Sequence, residues 1–400
     1  MKSAFRFARA EQMRTPLGVV LPWVLALLLT AVVFATTPVT TNNEGFDFDG
    51  LFYAAMAGSP LVMPEMAHAA PWCYRIVTPF FVSLLPWETL TSFRIAAFAS
   101  DVVSLVTLFF ILRRLGFADG LSLSGVALYA GVFWTLKFSF YSPAYIDPET
   151  QLFLLAIIYL TIDRRYIALV PVLILAALQK ESLAAFSVFS ATALVRSRGG
   201  HPSTSSSLLA FTMIAAPLGA IAIARAVVPA ANSYSGVQEI LGQLQLTTSA
   251  GFWPVFVQSM FSGAGLLPVV IVTRPRPWLK FLRERYEWIA YLAISMALLF
   301  AGRDKSRLFL YLLPILIVCT VLVAEELKIR SGMPRALVWM AVLLLLHVYV
   351  GGYLTPMGSF QDYLARMVPE HSDGTYLPYV GRNLVLAAGF LIFTLARARP

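Results

Sequence analysis

The chain has 400 residues, of which 58% are hydrophobic and only 13% are charged, and its mean hydropathy is +0.74. A soluble domain usually carries about 25% charged residues, so this composition excludes an ordinary soluble enzyme and indicates an integral membrane protein. The formal net charge of +9 does not point to nucleic acid, because the basic residues lie in short turns between apolar segments. The two cysteines, Cys73 and Cys319, imply no disulfide framework.

Apolar segments recur along the whole chain. Those of about twenty residues are long enough to cross a bilayer core, whereas the three between residues 150 and 195 are shorter. We expect an all-α polytopic membrane protein of about twelve transmembrane helices, forming one integral membrane domain over 1–400 without a soluble domain. The predicted spans are 17–37, 90–112, 121–141, 150–162, 166–178, 183–195, 208–228, 252–273, 286–302, 308–324, 336–353 and 381–396.

Basic residues predict the orientation of these spans, because cytoplasmic turns are enriched in Lys and Arg. The tail with Lys2, Arg6, Arg9 and Arg14 is expected in the cytoplasm, followed by a retained signal anchor. A hairpin with its tip at 179–182 keeps the basic cluster at 274–285 on the same side as that tail. The C-terminus is then cytoplasmic too, and the outer loops are 38–89, 142–149, 229–251, 303–307 and 354–380.

The first outer loop is the longest, and it begins with the acidic stretch "FDFDG". Two apolar stretches follow at 50–58 and 74–85. Both are too short to span a membrane and are expected to be interfacial helices. Asp49 stands at the N-cap position of the first of these helices.

Charged residues of both signs are predicted on the outer side. Arg and Lys at the level of lipid headgroups are suited to binding a phosphate and to stabilising it as a leaving group, and a carboxylate beside them can accept a proton from an attacking hydroxyl. The candidates are Asp47, Asp49, His68 and Arg75 in the first loop, Asp147 and Glu149 in the second, Lys180 and Glu181 at the hairpin tip, and Arg303, Asp304, Lys305 and Arg307 ahead of the tenth span.

Structural roles remain open for the same residues. Asp49 can cap the 50–58 helix, and Lys180 with Glu181 can form an ion pair that closes the hairpin. Arg303, Lys305 and Arg307 can snorkel to lipid headgroups, and Arg75 can anchor an interfacial helix. His68 can be an ordinary loop residue, and Asp101 can bond a neighbouring helix. An interfacial aromatic belt can be formed by Trp134, Phe138, Phe140, Tyr141 and Tyr145.

The order of these features resembles the GT-C superfamily of membrane glycosyltransferases, which use polyprenyl-phosphate-linked sugars as donors. The similarity lies in the single span before a long outer loop, the "FDFDG" start of that loop with two interfacial helices, "IDPE" in the second loop, the tip "LQKES", and "GRDKSRLFLYLLP" before a late span. "PWCYRIVTPFFVSLLP" is similar to a Pro-x-x-Tyr-Arg element of bacterial members. The resemblance implies a GT-C-like module over 1–228, with variable C-terminal helices over 229–400.

The resemblance also implies roles for the charged residues. Asp49 or Asp47 would be the general base, and the donor phosphate would be bound by Arg75, Lys180, Arg303, Lys305 and Arg307. An acceptor or second acidic site would comprise Asp147, Glu149, Glu181 and His68. No cofactor is certain, but some members bind a divalent cation (Mg²⁺ or Mn²⁺), whose ligands here would be Asp49, Asp147 and Glu149.

Two functions from different classes follow. The first is inverting transfer of a sugar from a polyprenyl-phosphate donor to a lipid or glycan hydroxyl, at the outer face of a bacterial-type cytoplasmic membrane. The second is transport or flipping of a lipid-linked glycan or a small anion, for which twelve spans are also common. The halves 1–195 and 208–396 show no convincing duplication, and the charged residues lie near span ends rather than mid-span, which favours the enzyme over a transport path.

Overall fold

The computed structural model describes residues 16–59, 65–200, 203–302, 304–354, 360–371 and 374–396. These residues form helices and connecting turns, without a strand among them. The α-helices are α1 (Pro16–Thr36), α2 (Gly50–Gly58), α3 (Val77–Ser83), α4 (Thr89–Arg114), α5 (Asp119–Ala130), α6 (Phe138–Tyr141), α7 (Asp147–Ile162), α8 (Tyr166–Gln179), α9 (Ser187–Ser197), α10 (Thr204–Val227), α11 (Gly236–Leu246), α12 (Phe252–Ala264), α13 (Leu267–Thr273), α14 (Pro275–Glu284), α15 (Glu287–Leu298), α16 (Lys305–Leu308), α17 (Leu313–Ser331), α18 (Met333–Val350), α19 (Phe360–Met367) and α20 (Leu377–Ala396).

Helix is present in each of the twelve predicted spans, but fewer helices are long and apolar enough to cross a membrane. Within the described ranges five qualify, namely α1, α4, α10, α18 and α20. Three more qualify if each bent pair counts as one span, which gives up to eight. The architecture is therefore consistent with a multi-pass membrane protein, whereas the predicted count of about twelve spans is not confirmed.

The bent pairs account for part of this difference, and the short helices α7, α8, α9 and α15 account for the rest. The chain turns by 57° between α5 and the helical segment 133–141, by 98° between α12 and α13, and by 62° between the segment 305–311 and α17. At the sharpest bend Gly265 has a φ of +54°, in the region that glycine adopts without steric cost. The next residue, Leu266, donates its backbone N–H to Nδ1 of His347 at 3.3 Å.

A large apolar core runs through the bundle and includes side chains from α1 to α20. The aromatic residues predicted as an interfacial belt belong to this core or line it. Trp134, Phe138, Phe140, Tyr141 and Tyr145 are all buried, so the prediction of a belt was wrong. The chain between α5 and α7 is folded into the bundle, where these rings pack against one another rather than against headgroups.

The first long loop contains the two short helices that its pattern predicts, although the second is shorter than expected. α2 has the predicted bounds, whereas α3 covers only Val77–Ser83 and is preceded by a 3₁₀ turn, Trp72–Tyr74. Ile76 donates its backbone N–H to the carbonyl oxygen of Leu178 at 3.1 Å. The loop is therefore attached to the C-terminal end of α8.

The predicted tip at 179–182 is a true helix break. α8 ends at Gln179, Lys180 has an extended backbone, and a 3₁₀ turn begins at Glu181. The buried Gln179 amide joins three elements: its oxygen accepts from the backbone N–H and the hydroxyl of Thr78, at 3.1 and 2.9 Å, and its nitrogen donates to the carbonyl of Ile146 at 3.0 Å. These bonds hold the residues that follow, Lys180 and Glu181, beside the starts of α3 and α7.

Candidate functional site

The two aspartates of "FDFDG" point in different directions. Phe48, between them, has a φ of +43°, which is uncommon for a non-glycine residue. Asp47 is fully buried and accepts a hydrogen bond from the Ser142 hydroxyl. Burial raises the pKa of its carboxyl above the usual value, against the opposing effect of the Ser142 bond. Asp49 instead faces Arg307.

Arg307 is the centre of the acidic cluster. Its Nη2 donates to Oδ2 of Asp49 at 3.0 Å, and its Nε lies 3.3 Å from Oδ2 of Asp147 and 3.4 Å from Oδ2 of Asp304. The guanidinium also lies over the ring of Tyr145, 4.7 Å from its centroid. One planar cation thus contacts three carboxylates that come from three distant parts of the chain.

Asp49 occupies the N-cap position of α2, but its carboxylate makes no capping bond there. The cap proposed as an alternative role is therefore wrong for the side chain, because the carboxylate is bonded to Arg307 instead. The Asp49 carboxylate is therefore paired with Arg307, and both residues line the cavity described below.

Lys180 reaches the same cluster from the α8 break. Its Nζ donates to Oδ1 of Asp147 at 2.9 Å, and it lies over the ring of Tyr311. Burial alone would lower the pKa of Lys180, but the Asp147 carboxylate and Tyr311 together outweigh burial and raise it above the usual value. Lys180 is therefore a cation at neutral pH, and it bonds Asp147 rather than its neighbour Glu181.

Arg75 and Glu181 form a second ion pair nearby. Nε of Arg75 donates to Oε2 of Glu181 at 3.1 Å, and its Nη1 donates to the hydroxyl of Tyr53 at 2.9 Å. Tyr53 is on α2, Arg75 follows the 3₁₀ turn before α3, and Glu181 starts the turn after α8. The pair therefore joins both short helices of the first loop to the break at Lys180.

These groups surround one cavity of about 710 Å³, which we call the central cavity. Its charged lining contains four carboxyl groups and four cations. The other described lining residues are mostly aromatic or small. The charged residues are Asp49, Glu181, Glu239 and Asp304 with Arg75, Lys180, Arg225 and Arg307, and the aromatic residues are Phe48, Trp72, Tyr145, Tyr234, Tyr311 and Tyr363.

Five predicted site residues lie elsewhere. Asp47 and Asp147 do not line the central cavity, although Asp147 bonds two residues that do. His68 places Nδ1 2.8 Å from the carbonyl oxygen of Pro229, where it helps to join the first and third predicted outer loops. Glu149 accepts from the Ser100 hydroxyl at 3.2 Å, and Lys305 lines a different cavity. Arg303 is outside the described residues.

The proposed metal ligands do not form one set. Asp49 and Asp147 meet at Arg307, whereas Glu149 is turned toward Ser100 in the bundle. Within the described residues, no group of three or more His, Cys, Asp or Glu side chains is placed to hold a metal ion. Because a guanidinium already lies among the carboxylates, this arrangement does not fit the Asp49–Asp147–Glu149 site.

Several site residues were not among the predicted ligands. Asp304 was noted only as part of its charged turn, and Tyr53, Tyr311 and Tyr363 carried no signal. Arg225 lies at the end of an apolar helix, where a basic residue is usual.

Asp101, expected to bond a neighbouring helix, is buried and hydrogen-bonded to Ser139.

No family model matches the chain, and neither a curated protein nor a solved structure resembles it significantly.

Proposed function

We propose that the protein is a membrane glycosyltransferase of the GT-C type, which transfers a sugar from a polyprenyl-phosphate donor to a hydroxyl of a lipid or glycan acceptor. The observation that carries this proposal is the meeting of Asp49 with Arg307, Lys180 and Arg75 around one cavity. A carboxylate at the edge of a cationic cluster is what a hydroxyl nucleophile and a phosphate leaving group require together.

In the proposed reaction, the acceptor hydroxyl loses its proton to an Asp49 oxygen as the hydroxyl oxygen bonds to the anomeric carbon of the donor. The bond between that carbon and the phosphate oxygen breaks, and the phosphate leaves with the electron pair. Attack opposite the leaving group inverts the anomeric configuration. The products are a glycoside and polyprenyl phosphate, and Asp49 returns its proton to solvent.

The ion pairs suggest how binding of the donor would free Asp49 to act as the base. Arg307 holds the Asp49 carboxylate at 3.0 Å when only the protein is present, so Asp49 is partly engaged. A donor phosphate offers the guanidinium a competing pair of oxygens. Arg307 would then turn from Asp49 to the phosphate, which frees the carboxylate to accept a proton.

We also propose which side of the membrane the cavity faces and how the donor reaches it. The central cavity would face the outer side of a bacterial-type cytoplasmic membrane, with both termini inside, as the distribution of Lys and Arg suggests. The donor would enter laterally from the lipid. Its polar head would then meet the charged lining while its chain remains in the bilayer.

The test is transfer of labelled sugar from polyprenyl-phosphate sugars by the purified protein in lipid nanodiscs, with Asp49→Asn as the main variant. Loss of a general base predicts a fall in turnover of about 10²- to 10⁴-fold. Asp163→Asn is the matched control, since Asp163 is also ion-paired, with Arg114 at 2.9 Å and Arg165 at 2.7 Å, but lies outside the cavity. Full activity in Asp49→Asn would remove Asp49 as the base.

Transport of a lipid-linked glycan is the second candidate, and the three bent helix pairs favour it. Broken helices surround substrate sites in many transporters, and one of these bends leads directly from the segment 305–311. Liposomes loaded with a fluorescent lipid-linked sugar separate the two functions. A transporter moves the intact molecule between leaflets, whereas the transferase cleaves it.

A further inference from the structure

A second cavity of about 530 Å³ lies beside the central cavity. The residues that line it are Glu239, Gly242, Gln243, Leu246, Ser249, Phe252, Val255, Lys305 and Glu370. Glu239 lines both cavities. Residues 304–307 also line both cavities, because Asp304 and Arg307 line the central cavity and Lys305 the second.

Helix α11 is the wall between the two cavities. Its first turn, with Gly236, Glu239 and Ile240, lines the central cavity, and its later residues Gly242, Gln243 and Leu246 line the second. Apolar side chains on its remaining surface are exposed, including Val237 and Leu241. Ligands in the two cavities would therefore lie on either side of α11.

Lys305 is a buried ammonium with unused bonding capacity. Its Nζ donates to Oε1 of Gln243 at 2.6 Å and to the carbonyl oxygen of Gly302 at 2.5 Å, and both acceptors are neutral. A lysine ammonium has three N–H groups, so in the described part of the chain one is left without an acceptor. Lys305 is only 2% exposed, and its Nζ also lies 5.9 Å from the centroid of the Phe300 ring. Burying a cation is costly unless its bonding groups are satisfied.

Glu370 presents a second unused group to the same cavity. Its Oε1 accepts from the backbone N–H of Lys305 at 2.9 Å and from the Ser259 hydroxyl at 2.8 Å. Its Oε2 is buried and has no partner among the described residues. Burial, and then the neighbouring Asp304 carboxyl, raise the pKa of Glu370 to about 8. The raised pKa favours the protonated carboxyl, which can donate a hydrogen bond.

The charge of the lining argues against a phosphate in this cavity. Glu239 accepts a hydrogen bond from the Gln243 amide at 3.0 Å, and its carboxylate offsets the Lys305 ammonium. The cavity thus offers separate donors and acceptors without a net positive charge. Phe252, Leu246 and Val255 add an apolar wall. Spaced polar groups beside an aromatic wall match the hydroxyls and C–H faces of a sugar ring.

We propose that the second cavity binds a neutral polyhydroxy ligand through Lys305, Gln243 and Glu370. Resting on the proposed function, this ligand is the sugar of the acceptor, held next to the donor in the central cavity. Lys305 is then an acceptor-binding residue and not, as its sequence position predicts, a ligand of the donor phosphate.

Three glycine-to-tryptophan variants test whether the saccharide binds in the second cavity. A Cβ at Gly242, Gly236 or Gly219 meets no heavy atom within 4 Å, so a side chain can start from each position without a clash at its first atom. Gly242→Trp obstructs the second cavity, Gly236→Trp obstructs the central cavity, and Gly219→Trp on α10 lines neither. Lys305→Met removes the ammonium as a complementary test.

Saturation-transfer NMR on nanodisc-embedded protein reports binding of a panel of neutral mono- and disaccharides, with glycerol 3-phosphate as the anionic probe. We expect Gly242→Trp to abolish saccharide binding and Lys305→Met to weaken it about 10- to 150-fold, since a hydrogen bond to a charged group contributes roughly 1.5–3 kcal/mol. Gly236→Trp and Gly219→Trp should bind as the wild type does.

Three results would overturn the inference: no saccharide binds, binding is lost in Gly236→Trp instead of Gly242→Trp, or glycerol 3-phosphate binds in preference to the sugars. Consumption of polyprenyl-phosphate sugar is measured separately. If saccharides bind at Lys305 but the donor is never consumed, the proposed transferase fails while the saccharide site stands. If the donor is consumed and Gly242→Trp transfers to the acceptor unimpaired, the acceptor assignment fails alone.

Discussion

At the scale of single residues, the planar guanidinium of Arg307 is the least replaceable group in the site. It contacts Asp49, Asp147 and Asp304 at once, which the point charge of a lysine cannot reproduce. We expect Arg307→Lys to lower glycosyl transfer about 10- to 100-fold, the loss of one or two charge-assisted bonds. Arg330→Lys is the control, because Arg330 is exposed and its ion pair among the described residues is with Glu326 on the same helix. Equal activity of the two variants would contradict a central role for Arg307.

Asp47 is expected to act on stability rather than on chemistry. Its folded-state pKa is raised by burial from the ordinary 3.8, so the folded protein holds this proton more tightly than the unfolded chain does. The corresponding stability is fully present below pH 3.8 and is lost as the pH rises through the folded-state pKa. Asp47→Asn cannot lose a proton, so its melting temperature relative to wild type should increase between pH 4 and pH 8. A difference that does not change with pH would show that Asp47 is ionised in both states.

At the scale of helices, Gly263 determines how closely α12 approaches α16. A Cβ at this position would overlap the carbonyl oxygen of Ser306 and Cβ of Phe309. Gly263→Ala should destabilise the protein by about 1–3 kcal/mol, as overpacking does, and should also lower transfer because Ser306 precedes Arg307. Thermal melting and turnover are measured together, with Gly219→Ala as control, since a Cβ there meets open space. Unchanged melting in Gly263→Ala would show that the helices can separate freely.

Helix positions were largely predictable, because the apolar segments and their breaks are strong local signals. α2 has its predicted bounds, and α8 ends at the predicted tip. The bends at Gly265 and beside Leu312 were not predicted, since they depend on packing against distant helices and not on segment length. The predicted count of about twelve spans stays unconfirmed, because α7, α8, α9 and α15 each have fewer than eighteen residues.

The candidate site was only partly predictable. The charged residues stand out in an apolar sequence, so Asp49, Arg75, Lys180 and Arg307 could be named from the residues alone. Their pairing could not, because Arg307 and Asp49 are 258 positions apart and nothing local links them. Lys305 shows the limit clearly: it is two residues from Arg307, yet it faces another cavity.

At the scale of the whole molecule, we propose that the site cleaves a lipid-linked sugar and does not transport it across the membrane. Release of polyprenyl phosphate measures this most directly, because only bond cleavage produces it. Protein in liposomes is given a labelled polyprenyl-phosphate sugar and an acceptor mixture, and wild type is compared with Asp49→Asn. We expect one polyprenyl phosphate to be released for each sugar transferred, and both rates to fall together in Asp49→Asn. Movement of intact donor across the bilayer with no polyprenyl phosphate released would contradict this proposal.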